Sequence, residues 1–174
     1  MLDLLINLTV IACLFIIHES GHYLAGRLIG IPAKHLKIQL FFSVPHVALS
    51  DGDGSWISPT DHERYINRLA DFSSEEWRDY LFVAGGHATE FFVVVGIAVA
   101  AVFTGDGYLL KAASLFVFFS LMLSAIYLLI DLFSTFKYGY PSGDFSAQWM
   151  ISKGWTLLFY LVYFGGLILV LMFV

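Results

Sequence analysis

Hydrophobic and polar positions divide the chain into four long apolar runs and one polar stretch. The first run begins at Leu2 and continues to about Gly30, with Ile31-Pro32 ending it. The others cover about 80–103, 109–131 and 155–174. Each is long enough to cross a hydrocarbon core as a helix. Between the first and second runs the pattern changes. Lys37-Ile38-Gln39-Leu40-Phe41-Phe42 reads as a strand, Val47-Ala48-Leu49 as a second, and Asp51-Gly52-Asp53-Gly54 as a turn. Asp51 and Asp53 match the start of a calcium loop, but its twelfth position is His62 and not a glutamate, which favours a plain turn. Residues 59–72 are polar and predict a short surface helix, and Ser73 with Glu76 predicts a capping box for the second run. Gly105-Asp106-Gly107 is a tight turn, and Asp131 is expected to end the third run. A polar break over 134–144 and a short amphipathic piece at 145–152 then lead to the fourth.

The expected fold is therefore an α-helical membrane protein. It has four transmembrane helices, with a small β element at the membrane surface between the first and second. The 174 residues suit a single domain, with no internal repeat. Composition strengthens the membrane reading: 59% of residues are hydrophobic and only 13% charged, about half the usual charged share. The net charge of -5 argues against nucleic acid as a partner. Cys13 is the sole cysteine, so no intrachain disulfide forms, and it reads as a small buried hydrophobe. The first run lacks a basic leader and a small-residue cleavage site, which argues against a removed signal peptide.

Charge also predicts orientation. Four spans put both termini on one side. Arg27, Lys34, Lys37, Arg64, Arg68, Arg78, Lys137 and Lys153 fall on the other, and Lys111 alone falls with the termini. The positive-inside rule then places the termini outside the cytoplasm and the loops after the first and third runs within it.

The candidate chemistry lies in His18-Glu19-Ser20-Gly21-His22, inside the first run. Histidines four apart share a helix face and offer two ligands to a zinc ion. The glutamate between them is placed to take a proton from a bound water. Ionisable groups in a membrane helix are costly and point to function. A polar cluster that only pairs helices is the plain alternative. A third ligand must come from elsewhere: Asp144, Asp131, Glu90 and His87 are the candidates. Asp144 follows Pro141-Ser142-Gly143, a turn able to dip inward, but it also suits an N-cap for a helix starting at Phe145. Glu90 is a candidate partner for His87 or His22. Gly26 and Gly30 fit either a close helix contact or a loose helix end.

Three segments in order resemble the site-2 protease family of intramembrane zinc metalloproteases. They are His18-Glu19-Ser20-Gly21-His22, then Ala84-Gly85-Gly86-His87-Ala88-Thr89-Glu90, then Pro141-Ser142-Gly143-Asp144. The second is similar to the family's Ala-Gly-Pro-x-x-Asn segment, with Gly86 in place of proline and Glu90 in place of asparagine. The third is similar to its Asp-Gly segment, with the glycine before the aspartate, and Asp131 rather than asparagine ends the preceding run. The resemblance implies a three-helix catalytic core and one Zn2+ per chain, held by His18, His22 and Asp144, with Asp131 the alternative third ligand. It implies Glu19 as general base and His87 as a contact to the oxyanion or substrate. The implied substrate is a membrane-anchored protein, cut near the cytoplasmic face, with prior trimming by another protease left open. The implied member is minimal and lacks a PDZ domain. The strand at 37–42 then becomes a candidate for pairing with unwound substrate. Two other readings remain: a non-catalytic membrane protein with a structural metal site, and a metal or proton transporter using His87, Glu90, Asp131 and Asp144.

Overall fold

The computed structural model describes residues 2–41, 44–72 and 75–174. Four helices are long and apolar enough to cross a membrane: α1 (Leu2–Leu28), α3 (Glu76–Thr104), α4 (Gly107–Tyr138) and α6 (Lys153–Leu171). Between α1 and α3 lie β1 (Leu36–Gln39), β2 (His46–Ser50), β3 (Trp56–Ile57) and α2 (His62–Ala70). The helix α5 (Asp144–Ile151) joins α4 to α6.

The long helices pack around Val10 and Leu14 of α1, Val94 and Ala98 of α3, Val117 of α4, and Tyr163 and Leu167 of α6. Much of the remaining apolar surface faces outward, including Phe92, Phe103, Leu129 and Leu161. This pattern suits helices solvated by lipid as well as by one another. The tightest approach joins α1 to α3. A Cβ added at Gly21 would fall 2.3 Å from the Gly85 carbonyl oxygen, and one at Gly85 would fall 2.5 Å from Ala25 Cβ. The two backbones therefore touch directly.

The three strands form one antiparallel sheet in the order β1-β2-β3, with Ile38 opposite Val47 and Leu49 opposite Ile57. Its buried face, Leu36, Val47, Leu49 and Ile57, packs with Ile29, Ile31, Leu69 and Phe82 into a second core. Helix α2 is fastened across it. The Tyr65 hydroxyl donates to Val47 O at 2.8 Å, and Arg68 Nε donates to Ser50 O at 2.7 Å. Arg64 pairs with Asp51 in the turn. Burial pushes the Tyr65 phenol upward, which keeps it a donor.

Several boundaries differ from the sequence expectations. Helix α4 does not end at Asp131 but runs on to Tyr138, where Gly139 caps it at φ 76°. The Asp131 carboxylate is hydrogen-bonded inside the protein, so the helix need not stop to hydrate it. The second span starts at Glu76 with Glu75 at its cap position, and Ser73 of the expected capping box lies outside the described residues. The first strand covers only 36–39, and Phe42 also lies outside the described residues. The strand at Trp56 has no counterpart in the expectation. Of the paired glycines, Gly26 is closely packed, with an added Cβ 3.0 Å from Leu36 and Phe82. Gly30 instead turns the chain out of α1 at φ 102° in open space.

Candidate metal centre

Three elements meet where α1 crosses α3. Helix α1 brings His18 and His22 one turn apart on the same face. Helix α3 brings His87 and Glu90, and the first residue of α5 brings Asp144. The Asp144 Oδ2 lies 3.0 Å from His18 Nε2 and 3.2 Å from His22 Nε2, and the two Nε2 atoms are 3.2 Å apart. Donors about 2.0–2.2 Å from a tetrahedral zinc stand about 3.3–3.6 Å from one another. The observed triangle is close to that size.

Both imidazoles are held from behind. His18 Nδ1 meets Glu90 Oε2 at 3.1 Å, and His22 Nδ1 meets the Phe82 carbonyl oxygen at 2.9 Å. Both acceptors lack a proton of their own, so the network assigns the ring proton of each histidine to Nδ1. Each Nε2 then directs a lone pair at the same Asp144 oxygen. Three lone-pair atoms converging within 3.2 Å repel unless a cation or extra protons lie among them. The donor set, two imidazoles and a carboxylate with their outer nitrogens anchored, fits a divalent metal.

His87 lies beside this triangle. Its Nδ1 is 3.5 Å from Asp144 Oδ2, its ring stands edge-on to His18 at 4.6 Å, and Tyr160 and Tyr163 flank it at 5.4 and 5.3 Å. His18, His87 and Asp144 thus also form a possible ligand triplet, with donor atoms within 4.8 Å of one another. The triplet with His22 is tighter, and both of its imidazoles are fixed through Nδ1, whereas His87 Nδ1 has no hydrogen-bond partner among the described residues. We therefore place His22 in the primary set. Glu19 is buried, at 6% exposure, and makes no side-chain hydrogen bond among the described residues. It follows His18 directly and shares the electrostatic neighbourhood of both histidines and Asp144.

Asp144 is not the cap of α5. Gly143 occupies the cap position and Asp144 the first helical turn, which frees its carboxylate to face the histidines. Asp131 sits apart, facing the turn. It accepts from Ser146 N at 2.8 Å, from the Ser142 hydroxyl at 3.0 Å, from the Thr135 hydroxyl at 3.1 Å and from the Ser146 hydroxyl. Its role in the structure is to hold the turn that presents Asp144.

The site also uses residues that sequence reasoning passed over. The Phe82 carbonyl is a backbone atom and leaves no trace in the sequence. Gly86 lies against the imidazoles: a Cβ there would fall 2.4 Å from His22 Nε2 and 2.6 Å from His18 Nε2. Ser120 of α4 and Tyr163 of α6 donate to Glu90, and Ser124 of α4 hydrogen-bonds the Tyr163 hydroxyl. Their signal was present as two serines one turn apart in an apolar helix. No family model, no curated protein and no solved structure matches this chain.

Proposed function

We propose that this chain is an intramembrane zinc metalloprotease, cutting a membrane-anchored protein in or near its transmembrane segment. The observation that carries the reading is the convergence of His18 Nε2, His22 Nε2 and Asp144 Oδ2 within 3.2 Å, beside a buried Glu19 that makes no side-chain hydrogen bond among the described residues. Four helices long and apolar enough to cross a membrane supply the setting, and α1, α3 and the start of α5 supply the site's side chains. The asymmetry of Lys and Arg favours a site towards the cytoplasmic face.

His18, His22 and Asp144 would hold a zinc ion, which would supply Lewis acidity for peptide hydrolysis when bound. The remaining work belongs to side chains. Glu19 takes the proton of the attacking water and passes it to the leaving amine. Glu90 and the Phe82 carbonyl keep the two imidazoles in the tautomer that faces inward. Asp144 is the most open member of the set, with 28% of its side chain exposed, and so marks the side from which water and substrate approach. His87 adjoins it as a donor to the substrate carbonyl. A substrate helix must unwind first, because its peptide bonds are engaged within the helix.

A second reading rests on His87 Nδ1, 3.5 Å from Asp144 Oδ2 and without a hydrogen-bond partner among the described residues. As a fourth ligand it would close the coordination shell and make the site structural. One pair of variants separates the readings. With Glu19→Gln, cleavage of a membrane-anchored reporter should vanish while zinc stays at one per chain. Cleavage that survives this change overturns the enzyme reading. Loss of bound zinc in His87→Ala favours the structural site.

A further inference from the structure

Helix α6 supplies none of the metal-facing side chains, yet one of its residues reaches the metal ligands through a single intermediary. Glu90 uses both carboxylate oxygens. Oε2 accepts from His18 Nδ1 at 3.1 Å. Oε1 accepts from the Ser120 hydroxyl at 2.6 Å and from the Tyr163 hydroxyl at 3.2 Å. The Tyr163 oxygen lies 2.8 Å from the Ser124 hydroxyl and 3.1 Å from that of Ser120.

Counting protons gives this cluster a direction. A hydroxyl has one proton to donate, and Glu90 as a carboxylate has none. Ser120 and Tyr163 give theirs to Glu90 Oε1. Ser124 gives its own to the Tyr163 oxygen. Every donor is then used, and every one points along the path towards Glu90 and His18. Tyr163 is 1% exposed and Ser120 is fully buried, so water does not substitute for either. The Tyr163 ring also stands edge-on to His87 at 5.3 Å.

We propose that Tyr163 is a positioning residue of the metal centre: its hydroxyl, backed by Ser124, fixes the Glu90 carboxylate and through it the orientation and tautomer of His18. This rests on the metal-site reading above. It gives α6, the fourth long helix, a part in the site. A carboxylate behind a metal-binding histidine typically changes affinity about 10- to 100-fold when lost, and a hydroxyl one step further back acts on a fraction of that. A tyrosine buried only for packing would not affect metal affinity when its ring is kept.

The test uses the full-length chain purified in detergent, with zinc alone as the probe. Zinc affinity is measured by competition with a chelating dye, and the His18 tautomer by nitrogen-15 NMR of the metal-free protein. Tyr163→Phe keeps the ring and should weaken zinc binding about fivefold and raise the share of His18 protonated on Nε2. Ser124→Ala should shift both in the same direction by less, and it serves if Tyr163→Phe does not fold. Ser114→Ala is the control. It removes a half-buried hydroxyl from α4 that donates to the Leu110 and Val174 carbonyl oxygens and not to Glu90 or Tyr163. It should leave both readouts unchanged. Zinc affinity within twofold of wild type and an unchanged tautomer in both Tyr163→Phe and Ser124→Ala overturn the proposal, with the metal site itself intact. If the wild-type chain binds no zinc but Tyr163→Phe still shifts the His18 tautomer, the positioning role stands and the protease reading falls.

Discussion

Gly86 of α3 and His22 of α1 are in direct contact, and no side chain fits between them. A Cβ at position 86 would lie 2.4 Å from His22 Nε2, well inside the distance any real Cβ keeps. The imidazole cannot simply swing aside, because the Phe82 carbonyl holds its Nδ1 at 2.9 Å. The same Cβ would lie 2.6 Å from His18 Nε2, the other metal-facing nitrogen. Gly86→Ala should therefore weaken zinc binding at least tenfold while leaving the helices folded. Zinc titration and circular dichroism of the same sample check both halves.

One turn of contact further along, Gly21 and Gly85 set how near α1 comes to α3. Gly21→Ala drives a methyl to 2.3 Å from a backbone carbonyl oxygen and 2.8 Å from Thr89 Cβ. Backbone cannot rotate away, so the helices must part. Overpacking of this kind costs about 1–3 kcal/mol. Thermal unfolding in detergent should show it, with a larger loss for Gly21→Val. Because His22 follows Gly21 and Gly86 follows Gly85, zinc affinity should fall in parallel.

Asp131→Ala tests how the turn presents Asp144. The change removes the acceptor of the Ser146 backbone N–H and of three hydroxyls. Ser146 is buried, so its amide is left without a partner, at a cost of about 1–3 kcal/mol. The turn also loses the contact that Gly143 makes with the Asp131 side chain, where an added Cβ would meet Cγ at 2.9 Å. Zinc binding should weaken although Asp131 is not a ligand. Asp144→Ala should instead abolish zinc binding and unfold at the temperature of the zinc-stripped wild type, with no further loss from the turn itself. Measuring affinity and unfolding for both variants distinguishes a support from a ligand.

The hydrophobic runs made the four long helices readable, because each is bounded by proline, glycine or a cluster of charges. The span ending at Asp131 was misjudged for a physical reason: a charge in an apolar helix ends it only if no internal partner is available, and Ser142 and Ser146 come from a later segment. The α1 side of the site was legible because His18 and His22 are related by helical spacing alone. Asp144 was not fixed by spacing, since its reach depends on a turn anchored through Asp131. The support behind the site was the least legible part. Glu90, Ser120 and Tyr163 come from three different helices, and no local pattern brings them together. Gly26 and Gly30 fit either a close helix contact or a loose helix end, and each reading holds at one of them: Gly26 packs against Leu36 and Phe82, Gly30 turns out of α1, and the closest α1–α3 approach lies at Gly21 and Gly85, because which side of a helix meets its neighbour depends on that neighbour.

Removing the metal should loosen the structure where three elements depend on it. His18 and His22 belong to α1 and Asp144 to the start of α5, so one ion would tie together segments more than a hundred residues apart in sequence. Without a cation, the lone pairs of two Nε2 atoms and a carboxylate oxygen face each other at 3.0–3.2 Å. Zinc at 100 times its Kd stabilises a folded site by about 2.7 kcal/mol when the unfolded chain does not bind it. Stripping with a chelator should therefore lower the unfolding temperature, and added zinc should restore it. Hydrogen exchange should rise at 142–148, the segment that carries Asp144. In Asp144→Ala the chelator should make no difference, because the bridge between α1 and α5 is already broken. A chelator effect of the same size in wild type and Asp144→Ala would show that the ion is held elsewhere.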